Sequence, residues 1–151
     1  RINSRIVERT QLKILIINGP NLNLLGVREP DIYGSESLSD IENWLNDQPE
    51  ADGHSITWFQ SNHEGELIDF IHGAMGNTGG IVINPGAFTH YSYAIRDAIA
   101  AINVPTVEVH LSDINTRENF REISVIKDVC LDQISGLGKI GYLKGIQRLI
   151  N

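Results

Sequence analysis

The chain has 151 residues, 41% hydrophobic and 21% charged, which is the balance of one ordinary globular domain with a buried core. Its 12 basic and 19 acidic residues leave a net charge of −7, which argues against a nucleic-acid binder or a membrane-surface protein, since both need a basic face. No run approaches the roughly 18 consecutive apolar residues of a membrane span.

Strand and helix patterns alternate along the chain. Residues 1–11 are mixed and polar, and we expect them to form a disordered or extended segment before a single domain over residues 12–151. The predicted elements, in chain order, are a strand at 12–18, a helix at 37–52, a strand at 54–60, a helix at 61–76, a strand at 80–84, a helix at 90–102, a strand at 104–110, a short helix at 115–122, a strand at 129–135 and a helix at 139–150.

Local signals accompany several of these elements. The first strand is a continuous apolar run, typical of a strand buried on both faces. Ser39 and Glu42 have capping-box spacing in the first helix, and Thr89 is the predicted cap of the helix at 90–102. Cys130, the single cysteine, excludes an internal disulfide, predicts a cytoplasmic protein and is interpreted as a small buried hydrophobic group.

Five strands separated by helices predict an α/β protein with a doubly wound parallel sheet and helices on both faces. Ligands of such folds bind beyond the carboxyl ends of the strands. The segment that follows the first strand, residues 18–34, is rich in Gly, Asn and Pro and exceeds the usual connection of about 2–6 residues. It also carries Arg28 five positions before Tyr33, which indicates a functional site.

Polar side chains follow four of the predicted strands, which suggests a single site at one edge of the sheet. In chain order they are Asn18, Asn21, Arg28 and Tyr33; Gln60, Ser61, Asn62, His63 and Glu64; Asn84, Thr89 and His90; and Glu108, His110, Ser112, Asp113, Arg117 and Arg121.

Two groups within this set have interpretable chemistry. Alternation in a strand places Glu108 and His110 on one side of the sheet, where the carboxylate can orient the imidazole. Arg117 and Arg121, four apart on the predicted short helix, would share a face and form a cationic patch with Arg28. Such a patch suits an anionic or polyhydroxylated small molecule.

Six segments in order resemble the type II 3-dehydroquinate dehydratase family. They are NGPNL at 18–22, REPDIYG at 28–34, QSNHEG at 60–65, NPGAFTH at 84–90, EVHLS at 108–112 and RENFR at 117–121. The resemblance implies a flavodoxin-like fold and a catalytic domain that dehydrates 3-dehydroquinate to 3-dehydroshikimate in the shikimate pathway. It further implies anti elimination through an enolate, no cofactor and no Schiff base.

The resemblance also assigns roles to residues. Tyr33 would be the base that takes the C2 proton, with Arg28 lowering its pKa, and Asn21 would stabilise the enolate oxygen. His110, oriented by Glu108, would protonate the departing C1 hydroxyl. The implied substrate-binding residues are Asn84, Leu111, Ser112, His90, Arg121 and, reaching across from a neighbouring subunit, Asp97. The family's assembly is a dodecamer, a tetramer of trimers.

Other features of the sequence admit different interpretations. The alternative function is a flavodoxin-like small-ligand binding module without catalysis, which explains the sheet but not the paired polar residues. The G-x-G-x-x-G spacing at residues 136–141 comes too near the end of the sequence for a dinucleotide fingerprint and is interpreted as a loop and helix entry. The histidines are scattered, so no metal site is expected.

Overall fold

The computed structural model describes residues 10–27 and 30–151, with the backbone alone for residues 32 and 33. Five parallel strands form one sheet in the order β2-β1-β3-β4-β5, which confirms the predicted α/β doubly wound architecture. The strands are β1 Lys13–Asn18, β2 Ser55–Gln60, β3 Gly80–Asn84, β4 Thr106–His110 and β5 Asp132–Ser135. The helices are α1 Pro30–Tyr33, α2 Leu38–Asn46, α3 Glu64–His72, α4 Tyr93–Ile102 and α5 Ile140–Ile150.

Both faces of the sheet are buried under helices. Alternate side chains of β1 separate into two apolar clusters, with Leu15 and Ile17 packed in the cluster that includes α3 and α4, and Ile14 and Ile16 in the cluster that includes α2 and α5. This explains the continuous apolar run of β1, because a central strand of a parallel sheet has no solvent-facing side. No helix of the described residues is long and apolar enough to cross a membrane.

Two predicted helix starts are wrong. Ser37, not Ser39, caps α2: its hydroxyl accepts a hydrogen bond from the Asp40 backbone, and the Asp40 carboxylate accepts one from the Ser37 N–H. The α2 helix also ends at Asn46, and a separate 3₁₀ turn follows at Pro49–Ala51. Ser92, not Thr89, caps α4, because residues 86–90 form a 3₁₀ turn that delays the helix start to Tyr93.

The predicted helix at residues 115–122 does not form. Two 3₁₀ turns, Ile114–Thr116 and Asn119–Arg121, occupy the segment, and Arg117 between them is extended. The expectation that Arg117 and Arg121 share a helix face is therefore wrong. The cause is local, since the Asp113 carboxylate accepts from the Asn115 N–H and the Thr116 hydroxyl donates to the Asp113 carbonyl, which competes with helical bonding.

The glycine-rich segment enters α5 as the sequence predicted. The Gly138 N–H donates to the Leu111 carbonyl at 3.0 Å, and the Gly136 N–H donates to the Ser112 carbonyl at 3.2 Å. Both glycines have a positive φ, which side-chain-bearing residues rarely adopt. The segment therefore supports the chain that leaves β4.

Two further predictions concern the N-terminal segment and Cys130. Of the predicted N-terminal segment, residues 1–9 lie outside the described part of the chain. Cys130 is partly buried against the α3–α4 cluster, and burial, together with the Glu108 charge, raises the pKa of its thiol to about 12. The thiol therefore stays protonated, which agrees with the interpretation as a packing residue.

Candidate active site

A cleft of about 160 Å³ lies beyond the carboxyl ends of β1, β3 and β4. This is the position at which a parallel sheet binds ligands. The residues that line the cleft are Pro20, Asn21, Leu22, Leu25, Asn84, Gly86, Ala87, His90, His110, Leu111, Ser112, Ile114, Arg117 and Arg121.

Seven predicted site residues share this lining, namely Asn21, Asn84, His90, His110, Leu111, Ser112 and Arg121. Glu108 lies directly behind His110 and is fully buried. Asp97 is exposed on α4 and is not part of the lining within this subunit. Arg28 and the side chain of Tyr33 lie outside the described residues, so their predicted places remain predictions.

The first wall of the cleft is the turn after β1. Gly19 passes so close to the loop after β3 that an added Cβ would lie 2.3 Å from the Pro85 carbonyl oxygen. Asn21 has a left-handed backbone, with φ of 69°, which asparagine tolerates better than most residues. Its N–H donates to Asn62 Oδ1 at 3.0 Å, and Gln60 Nε2 donates to the same oxygen at 3.1 Å. The chain after β2 thus fixes the position of Asn21.

Asn84, at the end of β3, is 3% exposed and its side chain is bonded on both sides. Its Oδ1 accepts from the Gly86 N–H at 3.3 Å, and its Nδ2 donates to the Tyr142 hydroxyl at 3.2 Å. The backbone donor determines which amide atom is the oxygen. Asn84 therefore presents its amide to the cleft in one fixed orientation.

Glu108 and His110 form a buried pair, as the strand alternation predicts. His110 Nε2 donates to Glu108 Oε2 at 2.5 Å. The same carboxylate accepts hydrogen bonds from Thr89 Oγ1 at 2.6 Å, Gln133 Nε2 at 3.1 Å and Ser124 Oγ at 2.8 Å. Burial opposes its ionisation, but the bonds from His110, Thr89 and Gln133 outweigh that cost and hold the pKa of Glu108 below its ordinary value.

This pair leaves one imidazole nitrogen for chemistry. Because Nε2 of His110 is committed to an ionised carboxylate, a proton exchanged with a ligand in the cleft has to pass through Nδ1. The arrangement suits a general acid.

His90 is held through Nδ1, whereas His110 is held through Nε2. The His90 Nδ1 donates to the Ile123 carbonyl at 2.7 Å, since a carbonyl can only accept. Burial, opposed by this bond and assisted by the charges of His110 and Arg121, lowers the pKa of His90. A neutral His90 therefore offers Nε2 as an acceptor, which suits a hydroxyl group of a ligand.

Arg121 supplies positive charge at the rim. Its Nε donates to Glu118 Oε2 at 2.6 Å, and its guanidinium lies 4.7 Å from the centroid of the Phe120 ring. These contacts fix one edge of the guanidinium. Among the described residues its other N–H groups have no further partner, so they can donate to oxygen atoms in the cleft. Across residues 10–27 and 30–151, no group of three His, Cys, Asp or Glu side chains could hold a metal ion.

Sequence patterns missed several residues that support the site. The sequence predicts Thr89 as a helix cap and assigns no role to Ser124, Gln133 or Tyr142. Gln133 alone had a usable signal, because β5 pairs with β4 and places it opposite Glu108. Tyr142 lies 124 positions from Asn18 and 58 from Asn84, its two partners, so local spacing could not reveal it.

Comparison with known proteins gives consistent matches. The family model described as Dehydroquinase class II matches residues 12–150. A 3-dehydroquinate dehydratase of Halalkalibacterium halodurans is 60% identical over 129 residues, which cover 85% of this chain and 89% of that protein. One of Bacillus licheniformis is 56% identical over 138 residues, covering 91% of this chain and 95% of the relative.

Solved structures match over the same region. The crystal structure of type II dehydroquinase from Butyrivibrio crossotus superposes with a TM-score of 0.90 at 50% identity, covering 93% of this chain and 99% of that one. The enzyme of the same type from Propionibacterium acnes gives a TM-score of 0.88 at 38% identity, covering 93% and 97%.

Proposed function

Because the chain belongs to the dehydroquinase class II family, we propose that the cleft beyond β1, β3 and β4 is where it removes water from 3-dehydroquinate to give 3-dehydroshikimate. The activity is that of a cofactor-independent hydro-lyase of the shikimate pathway. The observation that carries the assignment of the cleft is the buried Glu108–His110 pair at its floor, which is built to hold and donate a proton.

The reaction begins with removal of a proton from C2 of the substrate. Tyr33 acts as the base in this proposal, and the electrons of the C2–H bond move into the C3 carbonyl to form an enolate. Asn21 stabilises the developing negative charge on the enolate oxygen, directly or through a water molecule. The fixed backbone of Asn21, bonded to Asn62, supports this role because a preorganised donor needs no reorganisation during the reaction.

The second step expels the C1 hydroxyl. The enolate electrons re-form the carbonyl and the C1=C2 double bond, the C1–O bond breaks, and the leaving oxygen takes a proton from His110 Nδ1 to depart as water. Anti elimination places the base and the acid on opposite faces of the ring. Asn84, Leu111 and Ser112 hold the carboxylate and C1 hydroxyl, while His90 and Arg121 bind ring hydroxyls; their shared position in the cleft lining supports these assignments.

The direct test is an absorbance assay with the purified chain. We expect added 3-dehydroquinate to give rising ultraviolet absorbance, because the product is a conjugated enone, with no added cofactor and no loss of activity after borohydride treatment in the presence of substrate. Lys13, Lys127, Lys139 and Lys144 all lie outside the lining of the cleft, which supports the absence of a Schiff base. Tight ligand binding without turnover would instead favour a non-catalytic binding module.

We also propose that the chain assembles into a homododecamer, a tetramer of trimers, in which Asp97 of a neighbouring subunit reaches the cleft. The exposed position of Asp97 on α4 and the exposed apolar side chains of Tyr91, Tyr93 and Ile123 support an interface near His90. Light scattering should give a mass near twelve times 16.8 kDa; a monomeric mass would contradict the assembly.

A single cysteine fits the proposed cytoplasmic location, which cell fractionation would test.

A further inference from the structure

A buried tyrosine of α5 lies behind the cleft. Tyr142 is 0% exposed, and its ring packs against Trp58 with the ring centroids 5.3 Å apart. A phenylalanine would fill the same apolar space, so the hydroxyl at this position has to be explained by its partners.

The Tyr142 hydroxyl joins the ends of two neighbouring strands. It donates to Asn18 Oδ1 at 2.5 Å and accepts from Asn84 Nδ2 at 3.2 Å. Asn18 and Asn84 are paired in register as the last residues of β1 and β3, and both are buried. Of the two, Asn84 alone lines the cleft.

The direction of these hydrogen bonds is determined at both ends. Burial, opposed only by the bond from Asn84, raises the pKa of the Tyr142 phenol above its ordinary value, so the hydroxyl keeps its one proton at any working pH. The hydroxyl donates that proton to Asn18 Oδ1, so the phenol oxygen can only accept a hydrogen bond from Asn84 Nδ2. At the other end, the Gly86 N–H occupies the amide oxygen of Asn84.

The Asn84 amide has one N–H group that the bond to Tyr142 does not use. Within the described residues, Nδ2 makes its one hydrogen bond to Tyr142, so its second N–H is available to a ligand in the cleft. A rigidly aimed N–H donor suits an oxygen acceptor such as the substrate carboxylate. Without the phenol, the amide would lose the partner that holds this geometry.

We propose that Tyr142 is a positioning residue for substrate binding, which fixes the Asn84 amide so that it donates to a carboxylate oxygen of the substrate. This inference rests on the proposed function. The substrate carboxylate does not react, so a hydrogen bond from Asn84 to it contributes to uniform binding, and loss of the positioning raises KM more than it lowers kcat.

The variant Tyr142→Phe removes the hydroxyl and keeps the ring. We expect KM for 3-dehydroquinate to rise about tenfold, with kcat within about threefold of the wild-type value. The matched control is Trp58→Phe, which disturbs the same ring contact; Trp58 Nε1 has no partner within the described residues, so this change breaks no hydrogen bond. It should lower the unfolding midpoint without a comparable change in KM.

A double-mutant cycle separates positioning from general damage. In an Asn84→Ala background, Tyr142→Phe should change KM by less than about twofold, since the group that it positions is already gone. Equal effects of Tyr142→Phe in both backgrounds would overturn the inference. If Tyr142→Phe does not fold, Asn18→Ala tests the same point. It removes the acceptor of the Tyr142 hydroxyl proton, so the phenol is no longer held in one orientation and KM should also rise. An unchanged KM would overturn the inference.

The wild-type chain in the same assay distinguishes this inference from the proposed function. An inactive wild type would overturn the proposed function and, with it, the role of Tyr142. An active wild type whose Tyr142→Phe variant keeps the wild-type KM would overturn the role of Tyr142 alone.

Discussion

The Glu108→Gln variant is expected to fold and to lose kcat by roughly 10²–10⁴-fold, the usual contribution of general acid–base catalysis. The substitution keeps the size of the side chain and removes its charge. The wild-type carboxylate is fully buried, and it accepts hydrogen bonds from His110, Thr89, Ser124 and Gln133. Without that charge, His110 loses the carboxylate that orients its ring, and the group that protonates the leaving hydroxyl is no longer held in place.

Steady-state absorbance assays measure the loss. Glu108→Gln should lower kcat far more than it changes KM, because it acts on the proton donor and leaves the substrate contacts in place. The matched control is Glu122→Gln, which removes an exposed carboxylate and should leave kcat within about twofold. A Glu108→Gln enzyme with a near-normal kcat would contradict the acid role of the pair.

Glu108→Gln should also change how the free energy of unfolding depends on pH. The pKa of Glu108 in the folded protein lies below its ordinary value of 4.5, so the carboxylate stabilises the fold above that pH. This stabilisation disappears as the pH falls through the lower folded-state pKa. Urea-unfolding midpoints should therefore decline less on acidification below about pH 4.5 in Glu108→Gln than in the wild type; parallel declines would contradict the direction of the shift.

The sheet could be predicted because its signals are strong and local. The apolar runs that became β1 and β3 are buried on both faces, and the polar residues that end them, Asn18 and Asn84, mark the edge where the cleft forms. The Glu108–His110 pair followed from strand alternation alone. The seven predicted residues in one cleft lining likewise follow from the parallel arrangement of the strands.

Helix starts were less predictable because two residues satisfied the same rule. Ser37 with Asp40 and Ser39 with Glu42 both have capping-box spacing, and the sequence does not decide between them. In the structure, Ser37 has the extended backbone that a cap requires. The helix predicted at residues 115–122 does not form because the Asp113 side chain offers the backbone an alternative to helical hydrogen bonds.

The supports of the site were unpredictable because they join distant parts of the chain. Thr89, Ser124 and Gln133 come from three different segments and meet on one carboxylate. No spacing rule connects them, and each looks like an ordinary polar residue in its own segment. Their role depends on Glu108 being buried, which is a property of the packed sheet and not of any short window of sequence.

The Tyr33→Phe variant should lose kcat by at least about 10³-fold while KM changes little, because it removes the base and leaves the substrate contacts in place. The assignment of Tyr33 comes from the family resemblance, since its side chain lies outside the described residues. Stopped-flow or steady-state absorbance would measure turnover. Ser55→Ala is the control: Ser55 is exposed at the amino end of β2, away from the cleft at the carboxyl ends of the strands, and loss of its hydroxyl should leave the rate near that of the wild type.

A tyrosine base also makes a specific demand on its surroundings. An unperturbed phenol has a pKa of about 10 and is almost fully protonated at neutral pH, so an effective base needs a nearby cation to stabilise the phenolate. Arg28 is the cation that the sequence offers on the same segment. If that is its role, Arg28→Ala raises the pKa of Tyr33, and the variant should be slow at pH 7 yet recover as the pH rises. A rate deficit of Arg28→Ala that stays constant with pH would instead assign Arg28 to substrate binding, and an active Tyr33→Phe enzyme would remove the tyrosine from the mechanism altogether.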